Sequence, residues 1–144
     1  MEAKVAYFMY CSSVERKVFP GGNDIVCAVE PLSCLTPEYV PGVFSFSIVF
    51  SIIGIDVTKD SNTIRLAMYD ANENIVFDSS IIQLPPFPSE EDNIPKDFKG
   101  INMSMDLKNV NFVADGVYYS RIECNGVVLS EHSIYVGGKK KVRL

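Results

Sequence analysis

A chain of 144 residues, 47% hydrophobic and 22% charged, carries enough apolar material for one self-sufficient core without metal or disulfide staples, which excludes wholesale disorder. Its net charge is −5, yet Lys139, Lys140, Lys141 and Arg143 hold four of the 13 cations, so residues 1–138 set nine cations against 18 anions. An acidic body repels nucleic-acid phosphates, and no nucleic-acid partner is expected.

The opening MEAKVAYFMY places Glu2 and Lys4 too early for a basic n-region followed by a long apolar h-region, so no signal peptide is read. Val5–Tyr10 and Ile25–Val29 read as strands, with a turn in FPGGN at Pro20 to Asn23. Pro31, Pro37 and Pro41 make residues 30–42 an extended connector or edge segment. The run at 43–55 is too short to cross a bilayer and is broken by serines. It alternates instead: Phe44, Phe46, Ile48, Phe50 and Ile52 fall on one face, with Ser45, Ser47 and Ser51 on the other.

After a turn region at 56–62, Ile64, Leu66 and Met68 alternate with Arg65, Ala67 and Tyr69. A hairpin loop at 70–74 leads to one return strand, Ile75–Leu84. The proline-rich stretch 85–100 reads as a long surface crossing between sheets. Ile101, Met103, Met105 and Leu107 then alternate with polar residues, and Asn125-Gly126 joins strands 117–124 and 127–136 through a type I′ turn. Seven or eight such strands predict an all-β, two-sheet antiparallel β-sandwich of immunoglobulin-like, Greek-key type. A single domain over 1–136 is expected, followed by a basic, disordered tail over 137–144.

DGVYYSRIECNG (115–126) opens with Gly-x-Tyr, as at the tyrosine corner of immunoglobulin sandwiches. Those domains place a Cys two residues after the Tyr, whereas Cys124 comes six after Tyr118 and the chain has no Trp. A true immunoglobulin domain is therefore excluded. Gly116, Tyr118, Asn125 and Gly126 are read as structural fasteners.

Nothing matches a nucleophile elbow, a phosphate-binding loop or a zinc-protease helix, so no catalytic residue is assigned and no enzyme is expected. His132, the single histidine, is read as a surface or rim residue. Ser130 shares its face, but two residues of strand rise is expected to keep them out of direct contact. Cys11, Cys27, Cys34 and Cys124 form no CxxC pair and read as free thiols, with no metal and no cofactor expected.

Weak binding candidates are Tyr69 and Tyr119, at polar-face positions, and Phe87, a proline-fixed loop aromatic. Loop carboxylates raise a calcium alternative: Asp56 with Asp60, Asp70 with Glu73, and Glu90, Glu91 and Asp92. The Lys139–Arg143 tail raises an anionic-lipid alternative. A solvated terminus is the simpler reading, and no stable membrane association is expected.

The strand FSFSIVFSI, the hairpin TIRLAMYDANENIVFDS and the closing pattern through Gly-x-Tyr and Asn-Gly resemble a bacterial family of small, uncharacterised sandwich domains. The likeness covers about residues 43–136 and implies a sandwich fold with no known catalytic residues. The function expected is a non-enzymatic binding or assembly module in a bacterial cytoplasm. Its partner would be another protein or a second copy, met at an exposed strand edge or at the serine face of 43–53.

Overall fold

The computed structural model describes residues 2–18, 20–22, 24–88 and 92–141, and Glu90 and Glu91 lie outside the described residues. Ten strands are present among them: β1 Lys4–Val18, β2 Asp24–Pro31, β3 Cys34–Leu35, β4 Gly42–Ile53, β5 Thr63–Tyr69, β6 Ile75–Asp78, β7 Ile82–Gln83, β8 Gly100–Phe112, β9 Gly116–Cys124 and β10 Val127–Val136. One 3-10 turn, Lys96–Phe98, ends the long crossing. Among the described residues no helix is long and apolar enough to cross a membrane.

The strands form two sheets. The first runs β2-β1-β4-β8, the second β3-β10-β9-β5-β6 with β7 also on β5. The chain passes between sheets from β4 to β5 and again from β8 to β9, while β4 pairs β8 and β5 pairs β9. The two crossing pairs therefore interlock, which gives the antiparallel Greek-key sandwich its closure. β3 is the exception, lying parallel to β10 through Tyr135↔Cys34 and Val136↔Leu35.

Period-two patterning builds the core directly. Phe46, Ile48, Phe50 and Ile52 of β4 are buried against Ile64, Leu66 and Met68 of β5, with Leu107, Phe112, Tyr118, Ile122, Ile134 and Val136 completing the layer. On the serine side of β4 Ser45 is exposed as expected, but Ser47 and Ser51 are only 3% and 4% exposed. β4 is an interior strand, and its neighbours close over it. The Ser47 hydroxyl donates to Asp106 Oδ1 at 2.6 Å. Above Ser51, the Tyr7 hydroxyl donates to Asn102 Oδ1 at 3.2 Å, linking β1 to β8 over the strand between them.

Three boundaries differ from the sequence reading. β1 continues to Val18 because β2 pairs it from Cys11↔Pro31 to Val18↔Asp24, with one interruption at Ser12 and Glu30, where Glu30 takes φ 56°. The return strand expected over 75–84 is split into β6 and β7. There Asp78 Oδ1 accepts from Ser80 N at 2.8 Å and Ser80 takes φ 59°, a turn that breaks the ladder. The count rises to ten through β3 and β7, each only two residues long.

In the stretch expected to be a free tail, Gly137 N donates to the Leu35 carbonyl at 3.0 Å, Lys139 N to that of Pro37 and Lys140 N to that of Glu38, both at 2.9 Å. Lys140 Nζ also pairs with Glu38 at 2.7 Å. These bonds carry the chain alongside residues 35–38. Arg143 lies outside the described residues.

Candidate functional site

The outward residues of three adjacent strands meet on the second sheet. Cross-strand register sets Tyr69 of β5 beside Tyr119 of β9, and Tyr119 beside Ser133 of β10. The next row is Ala67, Arg121 and Glu131. The tyrosine rings stack with centroids 5.2 Å apart and an interplanar angle of 19°. The Arg121 guanidinium lies 4.8 Å from the Tyr69 ring centroid and 5.7 Å from that of Tyr119. It is held from the other side by Glu131, whose Oε1 accepts from Arg121 Nε at 3.0 Å.

Tyr69 is 8% exposed because this stack covers it, so Tyr119 and Arg121 present the surface. Loss of solvation, the largest single influence on Arg121, works against its charge. Glu131 and the two phenols outweigh that loss and hold its pKa above the ordinary value. Burial, with help from Glu73, raises the Tyr119 phenol, so the ring keeps a neutral hydroxyl. Val117 and Tyr135, paired in the next row, are both more than half exposed and extend the platform. A small hollow of about 130 Å³ beside Val117, between the Asp70–Asn72 loop and residues 113–116, closes that end.

Further along the sheet, Arg65 donates to both carboxylate oxygens of Asp78, at 3.0 and 2.6 Å, and reaches Glu123 at 3.7 Å. Asp78's carboxyl is held low by this fork, so the pair stays ionised. Arg121 and Glu131 were not singled out from the sequence. The signal was present: Arg121 sits two residues after Tyr119 and must share its face.

The structure joins Tyr69 and Tyr119 but not Phe87. That ring is 42% exposed in the crossing, where Phe87 N donates to the Val57 carbonyl at 2.8 Å. It borders an open cleft of about 1100 Å³ with Leu84, Ile101, Met103 and Lys96. Leu84 bonds to Asn62, just before β5 begins, whereas Tyr69 ends β5, so the two places lie at opposite ends of that strand.

The structural residues hold a corner and a turn. Gly116 has φ 148°, and the Tyr118 hydroxyl donates to the Ala114 carbonyl at 2.6 Å, spanning the corner between β8 and β9. Asn125 and Gly126 have φ 52° and 80°. Asn125 also ties its turn to the start of β5, its Oδ1 accepting from Thr63 N at 2.8 Å and its Nδ2 donating to Asn62 Oδ1 at 3.1 Å.

Among the described residues the loop carboxylates do not converge. Asp56 accepts from Thr58, Asp70 caps its own hairpin loop through Asn72 N and Asn74 N, and Asp92 pairs with Lys99. Among the described residues no three His, Cys, Asp or Glu side chains gather as a metal site would require.

His132 requires a correction. It is half-buried, as a rim position allows, and stacks on Phe8 with centroids 3.9 Å apart and planes 2° apart. Its Nε2 meets Ser130 Oγ at 2.8 Å, the contact that regular strand spacing was expected to deny. The ladder is regular from Ser130 to His132, its bulge falling before Ser130, so the two side chains share a face and the long imidazole spans the two-residue rise. Among the described residues no carboxylate hydrogen-bonds to the imidazole, and burial lowers its pKa. Cys11, Cys27, Cys34 and Cys124 are free thiols, and burial pushes those of Cys11 and Cys124 up.

No family model and no curated protein matches the chain in sequence, so the resemblance to small bacterial sandwich domains rests on the strand and turn pattern alone. Among solved structures, the chain is similar to an alkylpurine DNA glycosylase from Pseudomonas fluorescens bound to DNA containing an abasic-site analogue. The identity is 8% and the TM-score 0.45, over 94% of this chain and 30% of that one. The chain thus spans less than a third of that enzyme's length. It is also similar to an immunoglobulin-like protein from Pseudomonas aeruginosa, with 13% identity and a TM-score of 0.42 over 92% of this chain and 98% of that one.

Proposed function

We propose that this sandwich is a non-enzymatic, protein-binding module that recognises its partner with the outer face of the second sheet, around Tyr119 and Arg121. The observation that carries the reading is the Tyr69–Tyr119 stack with Arg121 lying over both rings. Tyrosine and arginine are the residue types that concentrate binding energy at protein interfaces. Here both are fixed before any partner arrives, Tyr119 by the ring beneath it and Arg121 by Glu131. A fixed side chain loses little entropy on binding, so this patch costs less to bury than a flexible side chain would.

A photo-reactive amino acid placed at Ser133, next to Tyr119 on β10, tests the proposal in cells that make the protein. One discrete covalent partner is expected, lost when Arg121→Ala is added while the unfolding midpoint stays within the range that supports a folded chain. Equal labelling from a probe at Lys108 on the first sheet, or labelling indifferent to Arg121→Ala, would overturn it.

A further inference from the structure

The β1–β2 ribbon outruns the sandwich. β1 pairs β4 only as far as Cys11, but continues to Val18 with β2 as its one partner. Val18 is 73% exposed, and Ile25 and Val26, on opposite faces of β2, are both exposed as well. A bare two-stranded ribbon is marginal in water, and among the described residues no buried core residue covers this one beyond Cys11.

The free edge of β1 has a defined polarity. The Tyr10 carbonyl accepts from Leu32 N at 2.8 Å on the β2 side. The pairing is interrupted at Ser12 and Glu30, where Glu30 takes φ 56°, and resumes from Ser13↔Val29 to Val18↔Asp24, so alternate residues turn their backbone groups toward β2. The residues between them turn theirs outward, where no strand among the described residues pairs with them. The outer edge of β2 is uncharged from Ile25 to Val29 and carries no charge pattern to specify a register. The β1 edge carries Glu15, Arg16 and Lys17.

We propose that this ribbon is a dimerisation arm in which the free edge of β1 pairs, antiparallel, with the same edge of a second copy across a two-fold axis at Arg16. Outward-turned residues must face one another, so the axis can fall only on a residue of the strand, and the charges choose which. Centring on Arg16 sets Glu15 opposite Lys17 of the second copy twice, and Val14 opposite Val18 twice. Centring on Glu15 or on Lys17 sets like charges across the axis and forms no opposite-charge pair. Arg16 then faces its own copy at the axis, the single unfavourable contact of this register. The even face pools Val14, Val18 and Val26 from both copies, giving the ribbon the apolar cover it lacks alone.

Sedimentation equilibrium of the whole 16.0 kDa chain tests the arm. The mass is expected to rise toward twice that value with concentration. Lys17→Glu alone and Glu15→Lys alone should each be monomeric, since each brings like charges together twice. An equimolar mixture of the two variants should dimerise, because every charged pair is then restored between unlike chains. The double variant should dimerise with itself. Monomeric wild type at every concentration, a dimer indifferent to Lys17→Glu, or a mixture that stays monomeric would each overturn the proposal. The first of these results would leave the edge to a strand of some other protein.

Discussion

The Tyr10 and Ser120 hydroxyls meet 2.7 Å apart in the core, joining β1 of the first sheet to β9 of the second. Ser120 is fully buried and stands two residues after Tyr118, where immunoglobulin domains carry the cysteine of their inter-sheet disulfide. A polar tie occupies that place here. The Tyr10 hydroxyl also donates to the His132 carbonyl at 2.8 Å, and burial pushes its pKa up to about 12, so it stays a donor at any physiological pH. Tyr10→Phe strands two buried partners and should cost about 1–3 kcal/mol in urea unfolding. Ser120→Ala should cost a similar amount, and the double variant less than the sum of the two. Strict additivity would show that the hydroxyls do not interact.

The Tyr118 hydroxyl and the Ala114 carbonyl, at 2.6 Å, hold the corner through which the chain changes sheets. Tyr118→Phe keeps the ring packed edge-on against Phe112 and removes only this bond. A loss of about 1 kcal/mol is expected. An unfolding midpoint unchanged from wild type would reject the fastening role.

Gly100 opens β8 where the crossing docks beside β4, and a Cβ there would lie 1.7 Å from the Ile52 carbonyl oxygen. No rotamer relieves a clash with backbone, so Gly100→Ala must move the strand entry and should destabilise by about 1–3 kcal/mol or more. Gly116→Ala meets no atom within 4 Å and pays only for its φ of 148°, about 1–3 kcal/mol. Hydrogen exchange separates the two, since Gly100→Ala should accelerate exchange in β4 and β8 whereas Gly116→Ala should act at the corner.

His132 is buried enough to hold its pKa below the usual 6.5. The unfolded chain therefore binds a proton more readily than the folded one, and stability rises with pH between the folded and unfolded values. Stability is complete above about pH 6.5 and falls as the pH drops through the folded pKa. The carboxyls of Asp56, Asp70, Asp78 and Asp92 are all held low, so their contribution is lost only at more acidic pH. The chain has one histidine, so His132→Gln should flatten the slope of urea stability just below pH 6.5. A slope that survives the substitution would assign the effect elsewhere.

Alternation along the chain is a local property, and it was legible. In Phe46, Ile48, Phe50 and Ile52, and in Ile64, Leu66 and Met68, period-two spacing alone identifies the buried face, because successive side chains of a strand must point to opposite sides. The same parity puts Tyr69 and Tyr119 on an outer face. The sandwich class followed from many such strands with turn residues between them.

Partners are not a local property. Only the pairing of β5 with β9 makes Tyr69 and Tyr119 one stack, and only the β9–β10 ladder supplies Glu131 to hold Arg121. Ser47 and Ser51 alternate as a polar outer face should, yet the interior position of β4 covers them with the side chains of β1 and β8. The sequence by itself determined which way each side chain faces, since that depends on its own strand. Tertiary structure decided what each one meets, since that depends on strands far away along the chain and on the register in which they join.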